Sequence, residues 1–490
     1  MKLDQVIVEL KGDVSSSPLY NEDIAPIGAK DRKWGMFDIA ALWVGMAVCI
    51  PSYMLAASLI QQGMNWWQAM LTIMFGNIIV LGPMIANAHA GTKYGIPFPV
   101  YCRAAFGTLG AHIPSVLRGL VACGWFGIQA WIGGFAIYQG LLVFWPGLAE
   151  MSLIGGLGIN AAQFSCFLFF WALNMGIVWR GMESIRHIED YAAPVLIVMA
   201  LGLLAWAYFA AGGFGEMLSR PSEFGVGGAK EGQFWKVFVP GLTGMVGFWA
   251  TLSLNIPDFS RHAHDQREQI MGQALGLPTT MTFIAFIGVA VTSATVVIFG
   301  GDPIWDPVVI LGKFKNPIVV LLAMLALTLA TLSTNLAANV VSPAVGFSNL
   351  APKRISFKVG ALITGVIGIV IQPWKLVADP TGYIFTWLIG YSALLGSIAG
   401  VMLADYFWVR KTELDLDALY DEKGVYAYTS GFNPVAVFAL VLGIAPCVPG
   451  FLGTIKVMEV SGFWMNLYSY AWFVSFGVSG VVYGLISKKK

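Results

Sequence analysis

Charge is scarce in this 490-residue chain. Only 11% of its residues are Asp, Glu, Lys or Arg, where a soluble domain carries about 25%. So few charges cannot solvate the surface of a globule this large, which excludes a soluble enzyme and a disordered scaffold. A formal net charge of +1 offers nothing to a polyanion, which excludes a nucleic-acid binder. Cysteine is sparse too: Cys49, Cys102, Cys123, Cys166 and Cys447 are odd in number and scattered, mostly inside apolar runs. They read as small buried hydrophobes, not as a disulfide frame or a zinc site. No His-Glu-x-x-His, Gly-x-Ser-x-Gly, Cys-x-x-Cys or Gly-x-x-x-x-Gly-Lys-Ser/Thr occurs. The usual signatures of membrane hydrolases, thiol redox proteins and ATP-driven pumps are therefore missing, and the chain is expected not to be an enzyme. His262 and His264 form a His-x-His beside Asp265, read as solvated loop residues in preference to a metal site.

What abounds is apolar length. Apolar residues make up 57% of the chain and aromatics 13%, and the mean hydropathy is +0.72. A helix needs about 20 mostly apolar residues to cross a bilayer. Twelve segments meet that criterion: 36–60, 67–90, 115–145, 161–179, 189–212, 234–257, 275–299, 317–341, 358–374, 382–404, 434–453 and 462–486. The expected fold class is an all-α integral membrane protein. Residues 1–34 are polar, lack the apolar core of a cleaved signal peptide, and are expected to form a cytoplasmic tail. With the amino terminus inside, twenty of the 28 Lys and Arg fall on inner segments and six on outer ones. Both termini are therefore expected in the cytoplasm of a multi-pass protein of the cell membrane.

Ions are nearly absent from the spans themselves. Asp258 closes the sixth span, and Glu189 and Asp190 open the fifth. The interior offers amides, hydroxyls and indoles, which suit a neutral, planar, hydrogen-bonding solute. Two spans look interrupted: the first at Cys49-Ile50-Pro51-Ser52, the sixth at Pro240-Gly241 with Gly244 and Gly247. Breaks five spans apart point to a site between inverted repeats, or to close helix packing. In the third span Trp125 and Gln129 share a helix face. An indole beside a carboxamide can stack on a ring and pair with its amide edge, or can be an interfacial Trp with Gln bonding another helix. In the eighth span Asn335 and Asn339 share a face, and Ser333 and Thr334 are adjacent hydroxyls. Such groups either ligate a small hard cation and a solute or join helices at about 1 kcal/mol each.

Together, Trp125-Phe126-Gly127-Ile128-Gln129, Gly247-Phe248-Trp249 and Ser333-Thr334-Asn335-Leu336-Ala337-Ala338-Asn339 resemble motifs of the nucleobase–cation symport family one. Its members carry cytosine, uracil, purines, allantoin or hydantoins. His89-Ala90-Gly91-Thr92-Lys93-Tyr94-Gly95, Asn255-Ile256-Pro257-Asp258-Phe259 and Ala404-Asp405-Tyr406-Phe407 extend the match over nearly the whole chain. The resemblance implies a leucine-transporter-like fold of two inverted five-helix repeats, at 35–212 and 233–404. A cytoplasmic loop at 405–432 follows, then two further helices and a short basic tail at 433–490.

The resemblance also implies roles. Trp125 and Trp249 would flank a ring, Gln129 and Asn339 would pair with its amide edge, and Asn335 and the Phe248 backbone would lie close by. Sodium, the coupling ion, would sit on carbonyls of Gly45, Val48 and Ala330 and hydroxyls of Ser333 and Thr334. Leu388 would belong to an outer gate. Cys49 stands where the hydantoin-carrying member has a Gln. No other cofactor is implied, and the partners are a small heterocycle, the ion and the bilayer, with a monomeric chain. The expected activity is uptake by alternating access, with proton coupling as the alternative. A channel or a membrane enzyme is the rival of another class.

Overall fold

Backbone groups surrounded by lipid have no water to bind, so an apolar chain pairs them within itself and becomes helix. The computed structural model describes residues 7–180, 182–351, 353–379 and 382–487. Lys2 and Lys488 to Lys490, counted above toward an inner face, lie outside the described residues, as do the side chains of Glu189 and Asp190. Among the described residues there is no strand, only three isolated bridges. The principal helices are α1 (Met36–Ala47), α2 (Ile50–Gln61), α3 (Trp66–Tyr94), α4 (Phe98–Phe106), α5 (His112–Leu142), α6 (Ala161–Arg180) and α7 (Met182–Ala210). There follow α8 (Phe234–Asn255), α9 (Gln266–Phe299), α10 (Pro317–Asn339), α11 (Val341–Leu350), α12 (Phe357–Val370), α13 (Ile389–Leu403), α14 (Pro434–Ile444) and α15 (Ala471–Ile486).

Eight helices among the described residues are long and apolar enough to cross a membrane, or ten when each bent pair counts as one span. Two shorter apolar stretches, Pro194–Ala210 and Phe357–Val370, fall where the fifth and ninth spans are expected. α5 packs against α6, α10 and α12, and α9 lies on α1, α2 and α3. α8 is held between α3 and α13, and α15 closes against α13 and α14.

The first span is broken as its Pro51 demands. α1 and α2 meet at 61°, with Cys49 extended at φ −145°, ψ 162°. The sixth expected span differs: α8 runs unbroken with Pro240 inside it. Pro240 lies in the second turn, so its missing N–H removes a single helical bond. The glycines of α8 serve approach instead. A Cβ on Gly244 would stand 3.3 Å from Ile384, and one on Gly247 would stand 2.8 Å from the Leu388 carbonyl.

The expected amino-terminal tail is a strap. Val8 N–H donates to Lys93 O at 3.0 Å and Ile27 N–H to Gly95 O at 2.9 Å. The buried Arg103 guanidinium of α4 donates to Leu19 O and Leu419 O, each at 3.0 Å, and to Asn349 Oδ1 at 2.7 Å. Tyr420 Oη donates to Ile24 O at 2.7 Å. The segment thereby ties the 405–432 loop to the ends of α3 and α4. His262 is part of the same strap, stacked on Trp34 with centroids 5.0 Å apart. Burial and then the neighbouring Arg261 charge push it down to about 4, so it is neutral at pH 7.

Asp258 is a tie of the same kind. It accepts from Phe98 N at 2.8 Å, Ser342 Oγ at 2.9 Å and Asn255 Nδ2 at 3.2 Å, while Arg118 of α5 donates to Asn255 Oδ1 at 2.7 Å.

The close contact of α8 with the tenth span predicts a contrast between two glycines. Gly247→Ala must displace the Leu388 carbonyl and should cost about 1–3 kcal/mol. Gly202→Ala on α7 meets nothing within 4 Å and should leave stability unchanged or slightly raised. Thermal denaturation in detergent checks both, and equal melting of the two variants would contradict this packing.

Candidate binding site

Four elements converge on a small cavity of about 40 Å³, room for little more than water. The break between α1 and α2 supplies Met46, Cys49 and Pro51; α5 supplies Trp125 and Gln129. α8 supplies Phe248, Trp249, Thr251 and Leu252, and α10 supplies Thr334, Ala338 and Asn339. The spacing of four between Trp125 and Gln129, and the adjacency of Phe248 and Trp249, put each pair on the same wall. Of the six residues expected to touch substrate, five therefore meet here.

The sixth, Asn335, does not line the cavity. Its carboxamide is fully engaged elsewhere: Nδ2 donates to Phe126 O at 3.3 Å and Asn174 Oδ1 at 3.2 Å, and Oδ1 accepts from Asn339 Nδ2 at 3.1 Å. Asn335 is thus a joint between α10, α5 and α6 that holds Asn339 in place. Asn339 keeps its Oδ1 free of hydrogen bonds among the described residues.

Aromatic edges dominate the remaining wall. Trp125 meets Phe248 edge-on at 5.1 Å, Phe248 meets Trp249 at 4.9 Å, and Trp43 of α1 braces Trp249 at 5.1 Å. Such pairs contribute about 0.5–1.5 kcal/mol each beyond their burial. Three polar atoms of the lining residues lack partners among the described residues: the Gln129 Oε1 acceptor and the Nε1 donors of Trp125 and Trp249. A buried group left unpaired costs about 1–3 kcal/mol, so all three are poised to pair with a ligand's donor and acceptors.

Sequence reading missed the cover. Tyr383, Trp387 and Tyr391 of the tenth span surround Trp125 at centroid distances of 6.2, 5.8 and 6.5 Å. They rise from a π-helical segment, Gly382–Leu388, that passes into α13, a wide turn of the kind that recurs at functional sites. Their spacing of four residues was the available signal. Leu388, the expected gate residue, is fully buried and wedges against Gly244 and Gly247 of α8, outside the cavity lining.

Of the expected ion ligands, Gly45 and Val48 belong to the break itself, and Thr334 lines the cavity with Cys49 and Pro51. In a continuous helix the Cys49 N–H would bond Gly45 O, but here it bonds Ala47 O at 2.9 Å, which releases the Gly45 carbonyl. Thr334 Oγ1 lies 3.2 Å from Ala330 O. Ser333 is buried beside them, and Val48 lines a separate groove on the other side of the break. Carbonyls and hydroxyls of this kind suit a hard monovalent cation better than a transition metal. Among the described residues no cluster of three His, Cys, Asp or Glu could hold a metal.

A broken helix and an aromatic cavity flanked by the tenth span, in one apolar helical bundle, are features of a membrane carrier. The comparisons agree. The chain belongs to the family described as permease for cytosine/purines, uracil, thiamine, allantoin, whose model matches residues 26–475. It is 47% identical to the purine-uracil permease NCS1 of Arabidopsis thaliana, covering 96% of this chain and 78% of that one. It is 43% identical to the allantoin permease of Bacillus subtilis strain 168, covering 96% and 93%. Among solved structures it superimposes on the inward-facing conformation of Mhp1 with a TM-score of 0.77 at 25% identity, over 96% of this chain and 94% of that one. A closed Mhp1 with bromovinylhydantoin bound, described as a nucleobase-cation-symport-1 family transporter, gives 0.74 at 25% identity over 95% of each chain. The protein is a multi-pass membrane transporter of leucine-transporter-like fold, not an enzyme, as the resemblance implied.

The structure gives the two asparagines of α10 different surroundings. Asn335→Ala strands Asn174 and should lower stability by about 1–3 kcal/mol. Asn339→Ala should leave stability close to wild type. Melting of the two purified variants checks this, and the reverse order would contradict the placement.

Proposed function

We propose that this chain is a sodium-coupled symporter that imports a neutral, planar heterocycle of the nucleobase or cyclic-ureide class. The observation that carries the reading is the unpartnered acceptor Gln129 Oε1 beside the unpartnered Nε1 donors of Trp125 and Trp249, in a cavity also walled by Phe248. An acceptor and a donor between aromatic faces match a ring that carries adjacent N–H and C=O groups. Family membership and the named purine-uracil, allantoin and hydantoin permeases support the same class.

Sodium is favoured over protons by the lining itself. No Asp, Glu, His, Lys or Arg borders the cavity, so a proton would find no carboxylate, imidazole or amine beside the substrate. The ion would be held by Gly45, Val48, Ala330, Ser333 and Thr334, and the solute by Trp125, Gln129, Phe248, Trp249 and Asn339. Asn335 would act through Asn339, and Leu388 would transmit closure through the α8 glycines. The chain would make twelve spans in two repeats, 35–212 and 233–404, with both termini cytoplasmic in the cell membrane and the transporter a monomer.

Alternating access follows from these parts. A cation at the break fixes α1 against α10 and completes the floor of the cavity. The ring then enters between the aromatic walls, which must separate to admit it, and Tyr383, Trp387 and Tyr391 fold over. Coupling needs only that the ion favour the conformation with high ring affinity.

Tryptophan-fluorescence quenching of purified protein tests this, with uracil, cytosine, hypoxanthine, guanine, allantoin and a hydantoin titrated in sodium and in choline. One ring should bind more tightly in sodium. Trp125→Ala and Asn339→Ala should weaken it at least tenfold, and Thr334→Ala should flatten the sodium response while sparing affinity at saturating sodium. Wild-type affinity in the first two variants would refute the site, and an unchanged sodium response in the third would refute the ion ligands.

A further inference from the structure

A second and much larger cavity, about 690 Å³, lies on the other side of the first-span break, between α7, α9 and α10. Its walls are apolar, with Leu196 and Leu203 from α7, Ile284 from α9 and Leu327 from α10, and its floor is Val48 and Cys49. The charged residues in its lining are Lys313 and Lys315. Both belong to the short link between Pro307–Gly312 and α10, so they gather at one end. Neither makes an ion pair among the described residues.

The surroundings identify the medium that this groove opens to. Val198 on α7 is 71% exposed and Leu322 on α10 is 62% exposed, so both flanks are apolar surface of a membrane protein. At the lysine end, Trp206 packs on Phe314 at 4.6 Å, and Lys313 Nζ lies 5.6 Å from the Phe299 ring centre. Aromatics with Lys at the end of a span mark the boundary between hydrocarbon and headgroups. An apolar cavity does not hold water well, and one that faces lipid is filled by lipid.

We infer that this groove is a binding site for an anionic phospholipid, with one acyl chain between α7 and α10 and the phosphate on Lys313 and Lys315. The occupant is amphiphilic because the lining is: a long apolar channel with two cations at its mouth. The charge complementarity selects an anionic headgroup over a zwitterionic one, since each Lys near an anionic lipid contributes about a fivefold preference. The chain end of the lipid reaches Val48 and Cys49, so occupancy fills the void behind the break in the first span. The groove shares Cys49 alone with the lining of the aromatic cavity, so its occupant is independent of the solute that cavity carries.

The test is native mass spectrometry of the full-length, delipidated protein with dioleoyl-phosphatidylglycerol or dioleoyl-phosphatidylcholine. Wild type should retain phosphatidylglycerol in preference. The Lys313→Gln, Lys315→Gln double variant should lose about 25-fold of that preference, at about fivefold per lysine. Gly202→Leu supplies an independent arm. Gly202 lines the groove and its Cβ would meet nothing within 4 Å, so the leucine should fold normally, fill the channel and reduce retention of both lipids. Equal retention of the two lipids by wild type would overturn the proposal. So would variants that melt like wild type and still hold phosphatidylglycerol as wild type does.

Discussion

The break at Val48–Cys49 is the constraint on which the rest of this molecule depends. A helix interrupted inside a bilayer leaves carbonyls without donors, and lipid cannot supply them. Pro51 enforces the interruption by withholding an N–H, and the Cys49 N–H turns back to Ala47 O. What remains exposed must be met by something polar from a neighbouring element. α10 brings Thr334 to the cavity rim with Ala330 O close behind it. In the proposed function, the hydroxyl-rich run on α10 and the proline in the first span would be two halves of one device. The aromatic cavity lies against the same break, so any change in the angle between α1 and α2 reaches its lining through Met46, Cys49 and Pro51.

Scarcity of charge in the composition becomes a property of the site. The cavity is lined by carboxamides, indole N–H groups and ring faces with no Asp, Glu, Lys or Arg, and that is chemistry suited to a neutral solute. The charges that do occur are spent elsewhere, at the ends of the helices. Arg118, Asn255, Asp258 and Ser342 bind α5, α8 and α11 together. Arg103 draws Leu19 and Leu419 onto α4. These ties hold the amino-terminal strap and the 405–432 loop across one end of the bundle, where any opening on that side must release them.

Much of this was legible in the sequence because membrane helices announce themselves by length and because motif residues on one helix face stay together. Trp125 with Gln129 and Phe248 with Trp249 needed only helical periodicity to be paired. Asn335 and Asn339 share a face too, but periodicity cannot tell which amide is taken by another helix. That depends on Asn174, 161 positions away in the chain. The continuity of α8 was misjudged for a related reason: glycines at 244 and 247 weaken a helix in isolation, yet here they admit Leu388 and the tenth span. The polar leader of 34 residues looked solvated, and its hydrogen bonds to Lys93, Arg103 and Tyr420 are long-range contacts that no local pattern encodes.

The central claim is that a cation at the first-span break drives a neutral ring through the aromatic cavity. Uptake of radiolabelled uracil, hypoxanthine and allantoin into sealed vesicles containing only this protein tests it most directly. An inward sodium gradient should concentrate one of these solutes inside the vesicle, and collapsing the proton gradient should leave that accumulation intact. Uptake that only equilibrates, or that follows the proton gradient and ignores sodium, would contradict the account.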